Sequence, residues 1–187
     1  MVFTEENIMK KKLIKHIMDI MTENPIYSYQ FTDGTRYFAL DTHRIIEYDE
    51  CINDYRGSNV QTNAHDYHTI DACKTWMRCD ESRKYDYHMI ELPKAEIIRE
   101  NIRNLVGRKL TDVYWTNREI EINARWLLKA MEALDATIGY VASENTASMP
   151  IMLYHEDNLQ SGVKELILPL NTRKSNPEFF VRESQFN

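Results

Sequence analysis

One pattern recurs near both ends of this chain and limits what it can fold into: a helix-period segment followed by three short β-prone runs. Over residues 5–21, Met9, Leu13, Ile17, Ile20 and Met21 recur at helical spacing, which predicts an amphipathic helix with one face on a core. Glu5 and Glu6 stand in its first turn, where the macrodipole favours acids. Asn24-Pro25 ends it, because the residue before a proline is pushed out of the helical region. IYSYQF and RYFAL then flank Thr32-Asp33-Gly34-Thr35, and an Asp-Gly pair between β-prone runs predicts a hairpin. A further strand is expected over residues 44–49. In the last third, Asn123 is a good N-cap for a helix with Trp126, Leu127, Ala130, Met131 and Leu134 on its buried stripe. ATIGYVA, MPIMLYH and KELILPL supply three more strands. With MVFT before the first helix and residues 118–122 before the second, a β-α-β-β-β order is read twice. The fold class is α+β.

Between the two repeats, CINDYRGSNVQTNAHDYHTIDACK is polar and without a clear period, so irregular structure is expected there. So long a stretch is unusual inside a compact domain and reads as an insertion with its own purpose. Residues 85–92 read as a strand. Pro93 suits a helix start, Ile97, Ile98, Ile102 and Leu105 share one face, and Gly107 stops the run. The chain therefore divides into a first unit (1–50), an insertion carrying one helix (51–115), a second unit (116–170) and a polar C-terminal tail (171–187).

Composition sets the class. With 187 residues, 43% hydrophobic and 28% charged, the chain suits one soluble domain with a sizeable core. No apolar run is long enough to cross a bilayer. MVFTEENIMKKK places acids and lysines where a signal peptide needs an apolar stretch, and three cysteines (Cys51, Cys73, Cys79) fit a reducing compartment. A cytoplasmic protein without a membrane partner is expected. Net charge is −6, so any nucleic-acid contact must come from a local basic stripe on an acidic body.

Residues 118–170, REIEINARWLLKAMEALDATIGYVASENTASMPIMLYHEDNLQSGVKELILPL, resemble the end of the third domain of the bacterial DNA sliding clamp, the β subunit of DNA polymerase III. That family has there a strand ending in Asn, a helix of the Leu-Leu-x-Ala-hydrophobic-x-Ala-Leu kind, and a last strand closing on a Met-Pro-Met-like motif. Here the close reads Leu168-Pro169-Leu170. MVFTEENIMKKKLIKHIMDIM resembles a clamp's opening strand and helix, and FALDTHRIIEY its Thr-Asp-x-x-Arg-Leu strand pair. The resemblance covers about 100 residues, and no single motif in it is diagnostic. It implies one clamp-like domain of two β-α-β-β-β halves, whose paired helices face DNA. True clamps carry several such domains per chain, so a closed ring would need about six copies. The reduced size points to a phage or other mobile element.

The first helix carries Lys10, Lys11, Lys12 and Lys15, and the second carries Arg125 and Lys129. Lys11 and Lys15, like Arg125 and Lys129, are four apart and share a helix face. If the helices face duplex DNA as in clamps, these cations meet phosphates, without sequence preference; otherwise they are a solvated face. Lys94, Arg99, Arg103, Arg108 and Lys109 form a further basic set, but Glu96 and Glu100 interleave with it and favour intrahelical ion pairs. By resemblance, a partner's peptide docks in an apolar pocket edged by Leu168, Pro169 and Leu170, with Tyr154. Phe179 and Phe180 would plug this groove or that of a neighbouring copy.

His65, His68, Cys73 and Cys79 could staple the insertion around zinc. Their His-x2-His-x4-Cys-x5-Cys spacing is not standard and no Cys-x2-Cys knuckle is present, so polar His and buried Cys are the simpler account. Asp41, Asp49, Glu50 and Asp54 could gather magnesium, though solvated turns are the simpler account. With no Gly-rich phosphate loop, nucleophile elbow or His-Glu-x-x-His, neither catalysis nor a cofactor is expected. The leading expectation is a non-enzymatic, clamp-like protein that binds duplex DNA, a DNA-processing protein (polymerase or nuclease), or both, with self-assembly open. The rival is an inhibitor on the same fold, of the anti-CRISPR or anti-restriction type. An acidic surface could compete with DNA for a host enzyme's basic channel.

Overall fold

The computed structural model describes residues 5–23, 28–32, 36–49, 87–105, 112–117, 120–142, 150–155, 162–169 and 179–181. The opening strand expected at 1–4, the turn at 33–35 and most of the insertion lie outside the described residues. Helix α1 (Glu5–Glu23) leads into a meander, β1 (Tyr29–Thr32), β2 (Tyr37–Leu40) and β3 (Arg44–Tyr48). After the insertion come β4 (Tyr87–Glu91), α2 (Ala95–Leu105), β5 (Val113–Thr116) and β6 (Glu121–Asn123). Helix α3 (Ala124–Leu134) leads into a second meander, β7 (Ile138–Ala142), β8 (Ile151–Tyr154) and β9 (Lys164–Ile167), and β10 (Phe179–Val181) is the last element among the described residues.

The two meanders join through their last strands. The large sheet runs β1-β2-β3-β9-β8-β7-β4, with every described pairing antiparallel. The order outward from the β3–β9 junction is the same on both sides, third strand, second strand, first strand. The repeat read in the sequence thus becomes a palindrome in the sheet. α1 and α3 pack against each other and on this sheet, α1 over β2 and α3 over β8 and β9. A smaller sheet, β10-β5-β6, also packs on α3. This is the α+β class expected.

Alternate side chains on a strand point to opposite faces. Ala39, Ile46, Tyr48, Val141, Ile151, Leu153 and Ile167 face the helices and meet Ile17, Ile20, Leu127 and Leu134 in the main core. Phe38, Leu40, Ile45, Tyr140, Met152, Tyr154 and Leu166 form a second buried cluster on the other face. Because side chains on both faces are buried, β2 (YFAL) and β8 (IMLY) are apolar throughout rather than alternating, whereas β3 and β9 bury the charged residues Arg44, Glu47, Lys164 and Glu165 among their apolar ones.

Local chemistry fixes the helix ends. Asn123 caps α3, its side-chain oxygen accepting from the backbone N–H of Arg125 at 3.0 Å and of Trp126 at 3.4 Å. Asp135 ends it in the left-handed conformation at φ 55°, where a short polar side chain is tolerated. Residues 87–105 and 112–115, grouped in the sequence with the insertion, are built into the body. β4 forms one edge of the large sheet on β7, α2 packs on α3, and β5 pairs with both β6 and β10. β6 is a local hairpin partner of β5, but β7 and β10 are remote in sequence, so no local signal ties the segment to them.

Candidate nucleic-acid interface

α1, α3 and α2 lie side by side, with α3 in the middle. Their apolar stripes go inward: Ile17 and Ile20 on α1, Leu127, Met131 and Leu134 on α3, Ile98 on α2 are all buried. The outward surface of this layer is where the predicted cations must lie.

On α1, Lys10, Lys11, Lys12 and Lys15 are exposed. On α3, Arg125 is half-buried and Lys129 is engaged: its ammonium pairs with Asp19 at 3.1 Å and with Glu23, both on α1. Burial is the largest single influence on Lys129 and lowers its pKa. Hydrogen bonds and charge from Glu23 and Asp19 together outweigh it, so the net shift is upward from 10.5. Lys129 therefore acts in this structure as the bolt between α1 and α3. On the other flank of α3, Glu132 accepts from Arg99 of α2 (Nε at 3.0 Å). Arg99 also approaches Glu96 at 3.6 Å, the intrahelical pair expected from the sequence. Lys94 and Arg103 are exposed; Arg108 and Lys109 lie outside the described residues.

Glu23 links this seam to the sheet. Its carboxylate accepts from Arg44 Nη2 at 2.7 Å as well as from Lys129. Arg44, with only 1% of its side chain exposed, also donates from Nε to Asp41 at 2.9 Å. Asp41 Oδ1 in turn accepts the backbone N–H groups of His43 and Arg44, each at 2.8 Å, which closes the β2–β3 turn. The guanidinium lies 5.2 Å from the centre of the Trp126 ring of α3, which also meets the His43 ring at 4.9 Å. Burial is the largest influence on Arg44 and lowers its pKa; the charge and hydrogen bond of Asp41, with the charges of Glu165 and Glu23, raise it further than burial lowers it. Arg44 is therefore a permanent cation holding α1, α3 and the sheet in register.

A second polar link was not singled out in the sequence. His16 Nε2 lies 2.6 Å from Glu165 Oε2, joining α1 to the central strand β9, with both side chains buried. A signal for it existed: His16 occupies an apolar-stripe position between Leu13 and Ile20, and Glu165 sits inside a strand pattern.

The predicted partner-binding residues are not gathered together. Tyr154 is 1% exposed on the sheet face away from the helices, edge-on to Tyr140 at 5.3 Å. It pairs with Lys164, whereas Ile151 pairs with Ile167 next to Leu168, so Tyr154 and Leu168 stand at opposite ends of the β8–β9 pair. Leu168 and Pro169 are half-buried, and the Leu168 N–H donates to the His43 carbonyl at 2.8 Å. Leu170 lies outside the described residues. Phe179 and Phe180 are on β10, paired with Trp115 and Tyr114 of β5 rather than with the closing strand.

His65, His68, Cys73 and Cys79 lie outside the described residues, among which no group of three His, Cys, Asp or Glu is placed to hold a metal. Of the carboxylates considered for magnesium, Asp41 is bonded to Arg44 and Asp49 pairs with Arg36 at 2.7 Å; Glu50 and Asp54 lie outside. Among the described residues no helix is long and apolar enough to cross a membrane.

Fold and site together define an α+β domain that presents a bolted helix pair on one face of an antiparallel sheet. Among solved structures the chain is similar to the β clamp of Helicobacter pylori. Against that clamp bound to a DNA ligase peptide, the TM-score is 0.45 at 12% identity, covering 85% of this chain and 62% of that one. Against the same clamp in complex with 5-chloroisatin it is 0.44 at 12% identity over the same shares, and with Diflunisal 0.42 at 12% identity over 87% and 63%. The chain thus spans less than two thirds of the clamps it matches. No protein-family model and no curated protein matches it.

Proposed function

We propose that this is a non-enzymatic, clamp-like protein that holds duplex DNA against the outer surface of α1 and α3, with a DNA-processing protein as its partner class. The observation that carries the reading is the bridge from Lys129 to Asp19 and Glu23. It sets one cation against two acids at the seam, Glu23 drawing a second from Arg44, and fixes the helices to each other. Lys15 stands one turn before Asp19 on α1, and Arg125 one turn before Lys129 on α3. We read Lys11 and Lys15, one turn apart on α1, with Arg125 on α3, as a basic stripe beside this bridge, flanked by Lys10 and Lys12. Such a stripe suits phosphate contact, which positions a protein on DNA without reading sequence. It also reconciles DNA binding with a net charge of −6, because the positive charge is local.

The test is binding to a labelled duplex as salt is varied. Each neutralised phosphate contributes about 0.9 to the slope of log K against log salt. Five cations predict a slope of about −4 to −5, falling by roughly 3–4 in a Lys10/Lys11/Lys12/Lys15 alanine variant. Duplex binding that is absent, or unchanged in that variant, overturns the proposal. Tight capture of a host nuclease without any DNA binding would favour the inhibitor reading instead.

A further inference from the structure

We infer that the β5 edge is a strand-docking site for an extended peptide of apolar-aromatic-apolar pattern, and that Phe179–Val181 is its occupant from within the chain. β10 is three residues long and, among the described residues, pairs with β5 alone, in the register Phe179↔Trp115, Phe180↔Tyr114 and Val181↔Val113. Its side chains divide by alternation. Phe179 and Val181 point inward and pack against the main core beside Val113 and Trp115. Phe180 points the other way and stacks on Tyr114, with ring centres 5.8 Å apart and planes 29° apart. This is how an added strand is recognised: main-chain pairing supplies attachment and alternate side-chain positions supply selectivity. The inward positions demand an apolar residue and the outward one an aromatic ring.

The occupant is weakly held compared with the strands around it. All three of its side chains are only half-buried, whereas Val113 and Trp115 beneath them are buried. Short edge strands with few buried contacts open locally at a fraction of the global free energy. Opening β10 leaves the β5 edge unpaired and uncovers Val113 and Trp115, a surface that a second strand of the same pattern can cover. The partner is thus a peptide segment carrying Phe-Phe-Val or an equivalent triplet, presented in extended form and antiparallel to β5.

The experiment uses the full chain and a fluorescent peptide of its residues 176–184, NPEFFVRES, with NPESFSRES as control. The full-length Phe179→Ser/Val181→Ser variant should bind NPEFFVRES about tenfold more tightly than the parent, because the parent's site is mostly occupied from within. The control peptide should not bind. A folded variant that takes up neither peptide, or both equally, overturns the inference. Should the variant not fold, amide exchange in the parent decides: Phe179–Val181 exchanging faster than β8 and β9 supports a separable strand, and exchange only with global unfolding refutes it.

Discussion

Replacing Arg44 with methionine tests the central structural claim, that a buried cation ties α1, α3 and the sheet together. Methionine retains much of the stem's apolar bulk but removes the guanidinium, and with it the approach to the Trp126 ring. Asp41, almost fully buried, then loses its Nε partner at 2.9 Å, and Glu23 loses a donor at 2.7 Å. Breaking a buried ion pair from one side costs about 3–5 kcal/mol, because the remaining charge is left without compensation. The lower end of that range is expected, since Asp41 keeps two backbone N–H donors and Glu23 keeps Lys129. For a chain of this length the loss corresponds to a fall in Tm of about 6–20 °C. Urea unfolding followed by tryptophan emission measures it, and Trp126 reports locally because its ring lies 5.2 Å from the guanidinium. Adding Asp41→Asn removes the stranded charge while keeping an acceptor for the turn, so the double variant should lose less than the two single losses summed. A loss below about 1 kcal/mol for Arg44→Met, with additive behaviour in the double variant, would mean that Arg44 is solvated and not a structural bolt.

His16→Leu should cost about 3 kcal/mol by leaving the Glu165 carboxylate buried beside an apolar group, while His16→Leu/Glu165→Val should recover most of it; equal losses in denaturant titration would refute the pairing. Lys129 has a raised pKa in the folded chain, so its contribution is complete below the ordinary value of 10.5 and fades as pH climbs through the folded value. Above about pH 10.5 the parent should therefore lose stability more steeply than Lys129→Met, and parallel pH curves would contradict the bridge. Gly139→Ala places a methyl group 2.9 Å from Ile151 Cγ1 and 3.2 Å from Ile90 Cγ1, inside the sheet, and should destabilise by about 1–3 kcal/mol in the same assay. A neutral result would show that β4 and β8 yield more readily than their burial implies.

The sequence alone determined the elements whose chemistry is local. Periodicity marked α1, α2 and α3, Asn123 announced the start of α3, and apolar runs marked the strands of both meanders. It could not determine pairing between strands far apart in the chain. β5 and β10 were missed because each is a short run without a pattern of its own: β10 depends on a partner 64 residues away in the Phe179↔Trp115 pairing, and β5 on being held between β10 and β6. Nor could the sequence tell which cation would bridge the two helices. Lys11, Lys15, Arg125 and Lys129 look alike as i,i+4 pairs, yet only the packing of α1 beside α3 brings Asp19 and Glu23 to Lys129. The same holds for Tyr154, read as a pocket edge and found in the second core. Local propensity is written residue by residue, whereas burial and charge pairing depend on which surfaces meet, and that was settled only when the two meanders joined at β3 and β9.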